Sequence, residues 1–310
     1  MLKTVLILTT MQKKSNFLIT LILLCLSTPL FGQFDMLDAE IMLDDLRKLS
    51  HDAAEGRKTG TDGNEAAKRF IVKQMDALGA KSLVKGYRHD FTFQNRSGET
   101  VTGENIISYI KGTEEGAFVI TAHFDHLGVV GEDIYNGADD NASGVAAMLA
   151  FIEYFKVNRP RHTMVFAALD AEEMGLQGAK AFVNDYDRIP LDQIKLNINM
   201  DMISVSDVNE LFVAGTEQNP NLKPIIENIE QPGITLKFGH DTGTGSDNWT
   251  YSSDHGEFYR AGYPFLYFGV EDHPNYHKST DTFENIDKDF YVKAAHVILE
   301  SIVLLDNNLN

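Results

Sequence analysis

Residues 163–175 read TMVFAALDAEEMG. A short apolar run ends in three carboxylates, Asp170, Glu172 and Glu173. Such a run reads as a strand buried on both faces. Three more share the pattern: 117–122 (AFVITA), 196–202 (LNINMDM) and 264–268 (PFLYF). Residues 142–157 and 176–186 have helical character between them, and 289–305 closes the chain. Upstream, 36–50 and 63–78 show helical spacing; in the second, Ala66, Phe70, Ile71, Met75 and Leu78 form one stripe. Residues 87–93 and 105–111 alternate like strands. Buried strands alternating with helices predict an α/β fold. Its central sheet is mixed and mainly parallel, with helices on both faces in a three-layer sandwich. The early strands would add an antiparallel edge.

In such sheets ligands bind beyond the carboxyl ends of the strands. The unusual polar residues of this chain gather there. His123 and Asp125 follow AFVITA, and Asp201 interrupts the end of LNINM. NGADDNASG (136–144) lies between His123 and the next helix. A lone histidine at a strand end is compatible with a satisfied core residue, so the case for His123 rests on its company. Asp201 is harder to treat as bland. A buried, unpaired carboxylate costs several kcal/mol or takes up a proton. No arginine lies near these strand ends in sequence, which makes a metal the better partner for it. His277, in NYHKSTDT, has Asp281 four residues on to orient its ring. Histidines with several carboxylates suit zinc, although cobalt or manganese also fits such donors. One catalytic zinc needs three protein ligands, and the carboxylates here exceed that. Two zincs sharing a carboxylate would use them all. The H-E-x-x-H motif of single-zinc proteases is absent.

Six segments then occur in order: TAHFDHLG, NGADDNASGVAAMLA, LDAEEMGLQGAKAFV, NINMDMI, SSDHGEF and YHKSTDTFENID. Together they resemble the two-zinc exopeptidases of peptidase family M28. The resemblance covers roughly residues 40–305, with EGRKTG (55–60) and GENIISYIKG (103–112) as its lead-in. It implies a zinc aminopeptidase that hydrolyses the N-terminal peptide bond with a metal-activated water. It further implies that His123 and Asp201 hold one zinc, Glu173 and His277 the other, and that Asp140 bridges both. Glu172 would be the general base. Asp125 would orient His123 from behind, while Asp139 would be no ligand. Neighbours leaving a strand diverge in direction, which lets Glu172 and Glu173 serve different tasks. Tyr251 and Tyr276 are candidate substrate contacts that equally suit core or rim positions. The alternatives are a glutaminyl-peptide cyclotransferase, which shares the fold but uses one zinc, and a carboxypeptidase or dipeptidase. A non-catalytic binding protein would be expected to lack a ligand or the base, and all six positions are filled.

The N-terminus carries an address rather than fold. Met11-Gln12-Lys13-Lys14 is a short basic head, residues 17–26 (FLITLILLCL) are apolar, and 27–32 (STPLFG) are mostly small. This predicts a signal peptide over residues 1–32, with Met11 a candidate start, and one catalytic domain over 33–310. The expected location is the periplasm or the medium, with no stable membrane association after cleavage. Cys25 is the only cysteine, so the exported domain would have no disulfide. Removing the three lysines of residues 1–32 takes the formal charge from −18 to −21. A surface this acidic argues against nucleic acid, and the partners expected are peptide or protein N-termini. The sequence is silent on oligomeric state.

Overall fold

The strands at the middle of the site-bearing sheet are short apolar runs, buried because the sheet is covered on both faces. In the computed structural model, which describes residues 36–185 and 194–309, β4 (Ala117–His123) and β7 (Thr163–Leu169) are buried at every position. The nine-stranded sheet also holds β1 (Lys81–Ser82), β2 (Arg88–Gln94), β3 (Thr100–Ile110), β8 (Ile194–Met200), β9 (Glu210–Ala214), β10 (Thr235–Phe238) and β11 (Phe265–Gly269). Its order is β1-β3-β7-β4-β8-β11-β9-β10, with β2 paired to β3, and β5 (Gly128–Val130) and β6 (Asp133–Tyr135) form a separate antiparallel pair. The four central strands, β7, β4, β8 and β11, run parallel. The β3–β7 and β11–β9 pairings are antiparallel. The mixed, mainly parallel sheet with an early antiparallel edge therefore stands. Strands β9 and β10 were not anticipated. They have five and four residues and lie among polar, Gly and Pro-containing stretches, too short for a period to register.

Side chains alternate between the two faces of each strand. Val119, Val165, Ala167 and Leu169 meet Ala179, Phe182 and Val183 of α4 (Gln177–Asn184) and Phe258 of α6 (His255–Arg260). The other face is covered by α3 (Gly144–Val157), an almost wholly buried helix that packs on β4 and β7. Helix α1 (Ala39–Leu49) packs on α3, α2 (Asp62–Ala77) lies against both β3 and α3, and α5 (Lys223–Ile226) packs on α7 (Lys288–Asn308), which closes the chain. Burial at this density makes the central strands rigid, and their carboxyl ends become fixed mounting points. Residues Leu37–Asn310 form one compact unit. The signal-peptide reading falls on residues 1–32, outside the described residues.

Candidate metal centre

Four central strands deliver the polar residues to one edge. His123 is the last residue of β4, Asp201 directly follows β8, and Glu172 and Glu173 lie in the turn after β7. His277 comes from the loop after β11, and Asp140 from the segment that leads into α3. That segment, Ala138–Ser143, is tightly wound and buried throughout, and its Asp140–Asn141 peptide is cis. Asn141 Oδ1 accepts the amide of Gly144 at 3.0 Å and so caps α3, whereas the Ser143 hydroxyl donates back to the Asp139 carbonyl. Gly144 has no room for a β-carbon, which would lie 2.8 Å from the Met200 carbonyl. The close approach of α3 to β8 fixes where Asp140 stands.

Two donor clusters share Asp140. In the first, His123 Nε2 lies 3.2 Å from Asp140 Oδ1 and 3.2 Å from Asp201 Oδ1. In the second, His277 Nε2 is 3.2 Å from Asp140 Oδ2 and 3.5 Å from Glu173 Oε2. His126 joins the second cluster, its Nδ1 2.8 Å from Glu173 Oε1 and 3.7 Å from Asp140 Oδ2. Donors around one tetrahedral zinc sit about 3.3 Å apart, from bond lengths of about 2.0–2.1 Å. The observed separations scatter around that value. His123 Nδ1 lies 3.1 Å from the Asp125 carbonyl; when it donates there, its Nε2 lone pair faces two carboxylates. That arrangement is repulsive unless a proton on Nε2 or a metal cation stands between them, and the donor types and spacings fit metal binding.

The same charges act on the protons of the chain's own groups. Burial works to lower the His123 pKa, but Asp201 and Glu172 outweigh it and raise it well above the usual value. Burial opposes ionisation of Asp140, yet His126, His123 and His277 hold it well below the carboxylate range. Hydrogen bonds to Asp140 and Glu173 lift His277 to about 10. The two adjacent glutamates part company. Burial raises Glu172 well above normal, with His123 opposing and Asp201 and Asp254 adding to the rise. Glu173 is lowered: burial and Asp140 act upward, and contacts with His126 and His277 prevail. Glu172 therefore sits in the field of the first cluster, and Glu173 is engaged with the second.

The supporting residues differ from expectation. Asp125 meets His123 through its backbone carbonyl, with its carboxylate 3.7 Å from the ring. That carboxylate instead accepts the amides of Glu172 and Glu173 at 3.0 and 3.3 Å, fixing the turn that carries both. Asp281 was expected to orient His277. It accepts the amides of Asp139 and Asp140 at 2.9 and 3.0 Å and so secures the shared carboxylate, because unpaired amides in a tight buried segment need an acceptor. Asp139 carries no donor role in either cluster and binds Ser204 and His273. Tyr276 stacks on His277 with ring centroids 4.0 Å apart. Burial raises its hydroxyl pKa, and Asp140 and Asp201 add to the shift. Tyr251 is 49% exposed, packs beside Tyr259 and carries Arg260 over its ring at 4.4 Å.

Four residues escaped the reading of the sequence. His126 had only its place three residues after His123 to mark it. Tyr267, on β11, donates to the Asp201 carbonyl at 3.2 Å. Asp254 is fully buried with both carboxylate oxygens unpartnered, and burial pushes its pKa up to about 8. Its signal was the charged D-H pair inside SSDHGEF. Arg57 reaches these strand ends from far off in the sequence. It is fully buried, and its guanidinium donates to the carbonyls of Phe124, Leu49, Asn136 and Gly137 at 2.6–2.8 Å. It ties together the loops that carry Asp125, His126 and Asp140 rather than pairing with a carboxylate.

A parallel sheet edge bearing two clusters of metal-donor side chains that share one carboxylate is the arrangement of a candidate metal centre. The chain belongs to peptidase family M28, whose family model matches residues 105–302. Aminopeptidase YwaD of Bacillus subtilis is 26% identical over 223 residues, covering 68% of this chain and 45% of that protein. Leucine aminopeptidase 2 of Trichophyton rubrum is 26% identical over 246 residues, 70% of this chain and 48% of the relative. The chain spans about half the length of these curated relatives. In fold it is similar to a zinc aminopeptidase from Bacillus subtilis, with a TM-score of 0.69 at 18% identity, covering 86% of this chain and 95% of the other. It is equally similar in fold to a glutaminyl cyclase from Porphyromonas gingivalis, with a TM-score of 0.72 at 16% identity and coverage of 86% and 98%.

Proposed function

We propose that this protein is a zinc-dependent aminopeptidase with two ions per chain, His123 and Asp201 holding one, Glu173 and His277 the other, and Asp140 both. The observation that carries the reading is Asp140, whose two oxygens face different clusters, Oδ1 toward His123 and Oδ2 toward His277. Bound zinc supplies Lewis acidity, polarising the scissile carbonyl and acidifying water. Glu172, not engaged with the second cluster, takes a proton from the attacking water. It returns that proton to the nitrogen that leaves as the C–N bond breaks. Its raised pKa suits a group that must hold a proton between those steps. Tyr276, stacked on His277, donates a hydrogen bond to substrate, while the contacts of Tyr251 are with Tyr259 and Arg260 and give it no role here. The acidic cluster favours a substrate with a free, positively charged N-terminus. We further propose export through residues 1–32, on the basic head and apolar run, which N-terminal sequencing of the secreted product would test.

The discriminating experiment is a panel of aminoacyl anilides run beside a glutaminyl-peptide cyclisation assay, with and without chelator. Chelator-sensitive anilide hydrolysis is expected. Cyclisation without hydrolysis would overturn the peptidase reading in favour of a cyclase.

A further inference from the structure

His126 belongs to neither the proposed ligand set nor the proposed chemistry, yet its placement is costly. The side chain is buried, and neither ring nitrogen has a hydrogen-bond partner. Leaving such groups unpaired inside a protein costs roughly 1–3 kcal/mol each. Nδ1 stands 2.8 Å from Glu173 Oε1, within hydrogen-bond range, but the two atoms make no hydrogen bond and Oε1 is itself unpartnered. Two polar atoms this close that do not point at each other share a target beside both. Asp140 Oδ2 lies 3.7 Å from Nδ1, and the His126 and His277 ring centroids are 5.9 Å apart.

The ring is also held in place. Gly137 has a positive φ of 56°, and a β-carbon there would lie 2.6 Å from the His126 ring. The bare glycine lets the imidazole lie against the backbone that leads to Asp140. The Arg57 guanidinium fixes that backbone by binding the Gly137 carbonyl at 2.8 Å.

The geometry points to His126 as a fourth protein ligand, through Nδ1, of the ion shared by Asp140, Glu173 and His277. This rests on the two-ion reading above and adds an asymmetry to it. The cluster of His123, Asp140 and Asp201 has three protein groups, which leaves a position open for a solvent or substrate oxygen. The cluster of His126, Asp140, Glu173 and His277 has four, the number of a closed zinc site. The two positions then differ in kind: one retentive and structural, one open to chemistry.

The test is zinc binding by calorimetry and by metal analysis after dialysis, on the full chain and on His126→Ala and His126→Asn. Cobalt loading gives an independent reading through the visible absorption of the ion. Wild type should take up two ions. Each variant should keep one at wild-type affinity and bind the other on the order of 100-fold more weakly; residues behind the ligands reach 10–100-fold, so the cobalt spectrum separates a ligand from a supporting residue. The visible band of that cobalt equivalent should change as a nitrogen donor is lost. The metal-free variants should unfold within a few degrees of wild type. Two ions bound with unchanged affinity and unchanged cobalt spectra in both variants would overturn the inference, whatever their stability. Wild type binding a single ion would instead refute the two-ion reading beneath it.

Discussion

Arg57→Met tests the foundation of the site rather than its donors. The substitution keeps a long apolar stem and removes a guanidinium that serves four backbone carbonyls, those of Leu49, Phe124, Asn136 and Gly137. Gly137 keeps a second partner in the Ala142 amide, so three carbonyls lose the bond outright among the contacts described. At about 1–3 kcal/mol for each buried group left unsatisfied, the gross loss is roughly 3–9 kcal/mol. Removing a buried cation returns its desolvation penalty, several kcal/mol. That penalty is real here, since burial lowers the Arg57 pKa to about 10, still protonated at neutral pH. The cation also sits in the field of Asp281, Asp140, Asp125 and Glu173, and its loss leaves those carboxylates less well balanced. The net expectation is about 3–5 kcal/mol of destabilisation, the range seen when one partner of a buried charged arrangement is removed. Urea unfolding of the metal-free protein measures it, and zinc calorimetry reports whether the loops keep their geometry. Arg57→Lys should recover part of the loss, because an ammonium keeps the charge but cannot reach the spread of acceptors that a planar fork can. A loss below about 1 kcal/mol in Arg57→Met with zinc affinity unchanged would refute this account.

Two further outcomes follow from particular groups. Asp140→Ala removes the carboxylate common to both clusters and should weaken the binding of both ions by calorimetry; wild-type affinity at either position would show that Asp140 is not shared. His255 is fully buried, donates from Nε2 to the Trp249 carbonyl at 2.8 Å, and has its pKa depressed by burial to about 3. A depressed histidine contributes stability that is complete above the unfolded value near 6.5 and is lost as pH falls toward 3. Between pH 6.5 and 5 that amounts to about 2 kcal/mol at 1.36 kcal/mol per unit. His255→Gln should lose that part of the acid dependence, read by urea unfolding at pH 7 and pH 5; an unchanged difference between the two pH values would exclude it.

How much of this was legible in the sequence follows from the range of the forces involved. The central strands could be read because burial on both faces makes each an apolar run, and Asp201 stood out because it breaks one. His123, Asp201 and His277 stood out by position and company, while the choice of Asp140 over Asp139 and of Glu173 over Glu172 came from the resemblance; all five meet at the sheet edge. Arg57 could not be read: three of its four carbonyl partners lie 67 to 80 residues away. Asp281 shows the same limit. Its nearness to His277 in sequence suggested one partner, while the fold gives it amides more than 140 residues away. His126 and Asp254 are informative only once their burial and missing partners are visible, and neither property is encoded locally.

The central claim is that the adjacent residues Glu172 and Glu173 do different work. The direct measurement is zinc content and turnover of Glu172→Gln and Glu173→Gln side by side. Glu172→Gln should retain wild-type zinc and lose about 10²–10⁴-fold in kcat, the contribution of a positioned proton carrier. Glu173→Gln should lose affinity for one ion. Loss of zinc from Glu172→Gln with full retention in Glu173→Gln would contradict the account and exchange the two roles.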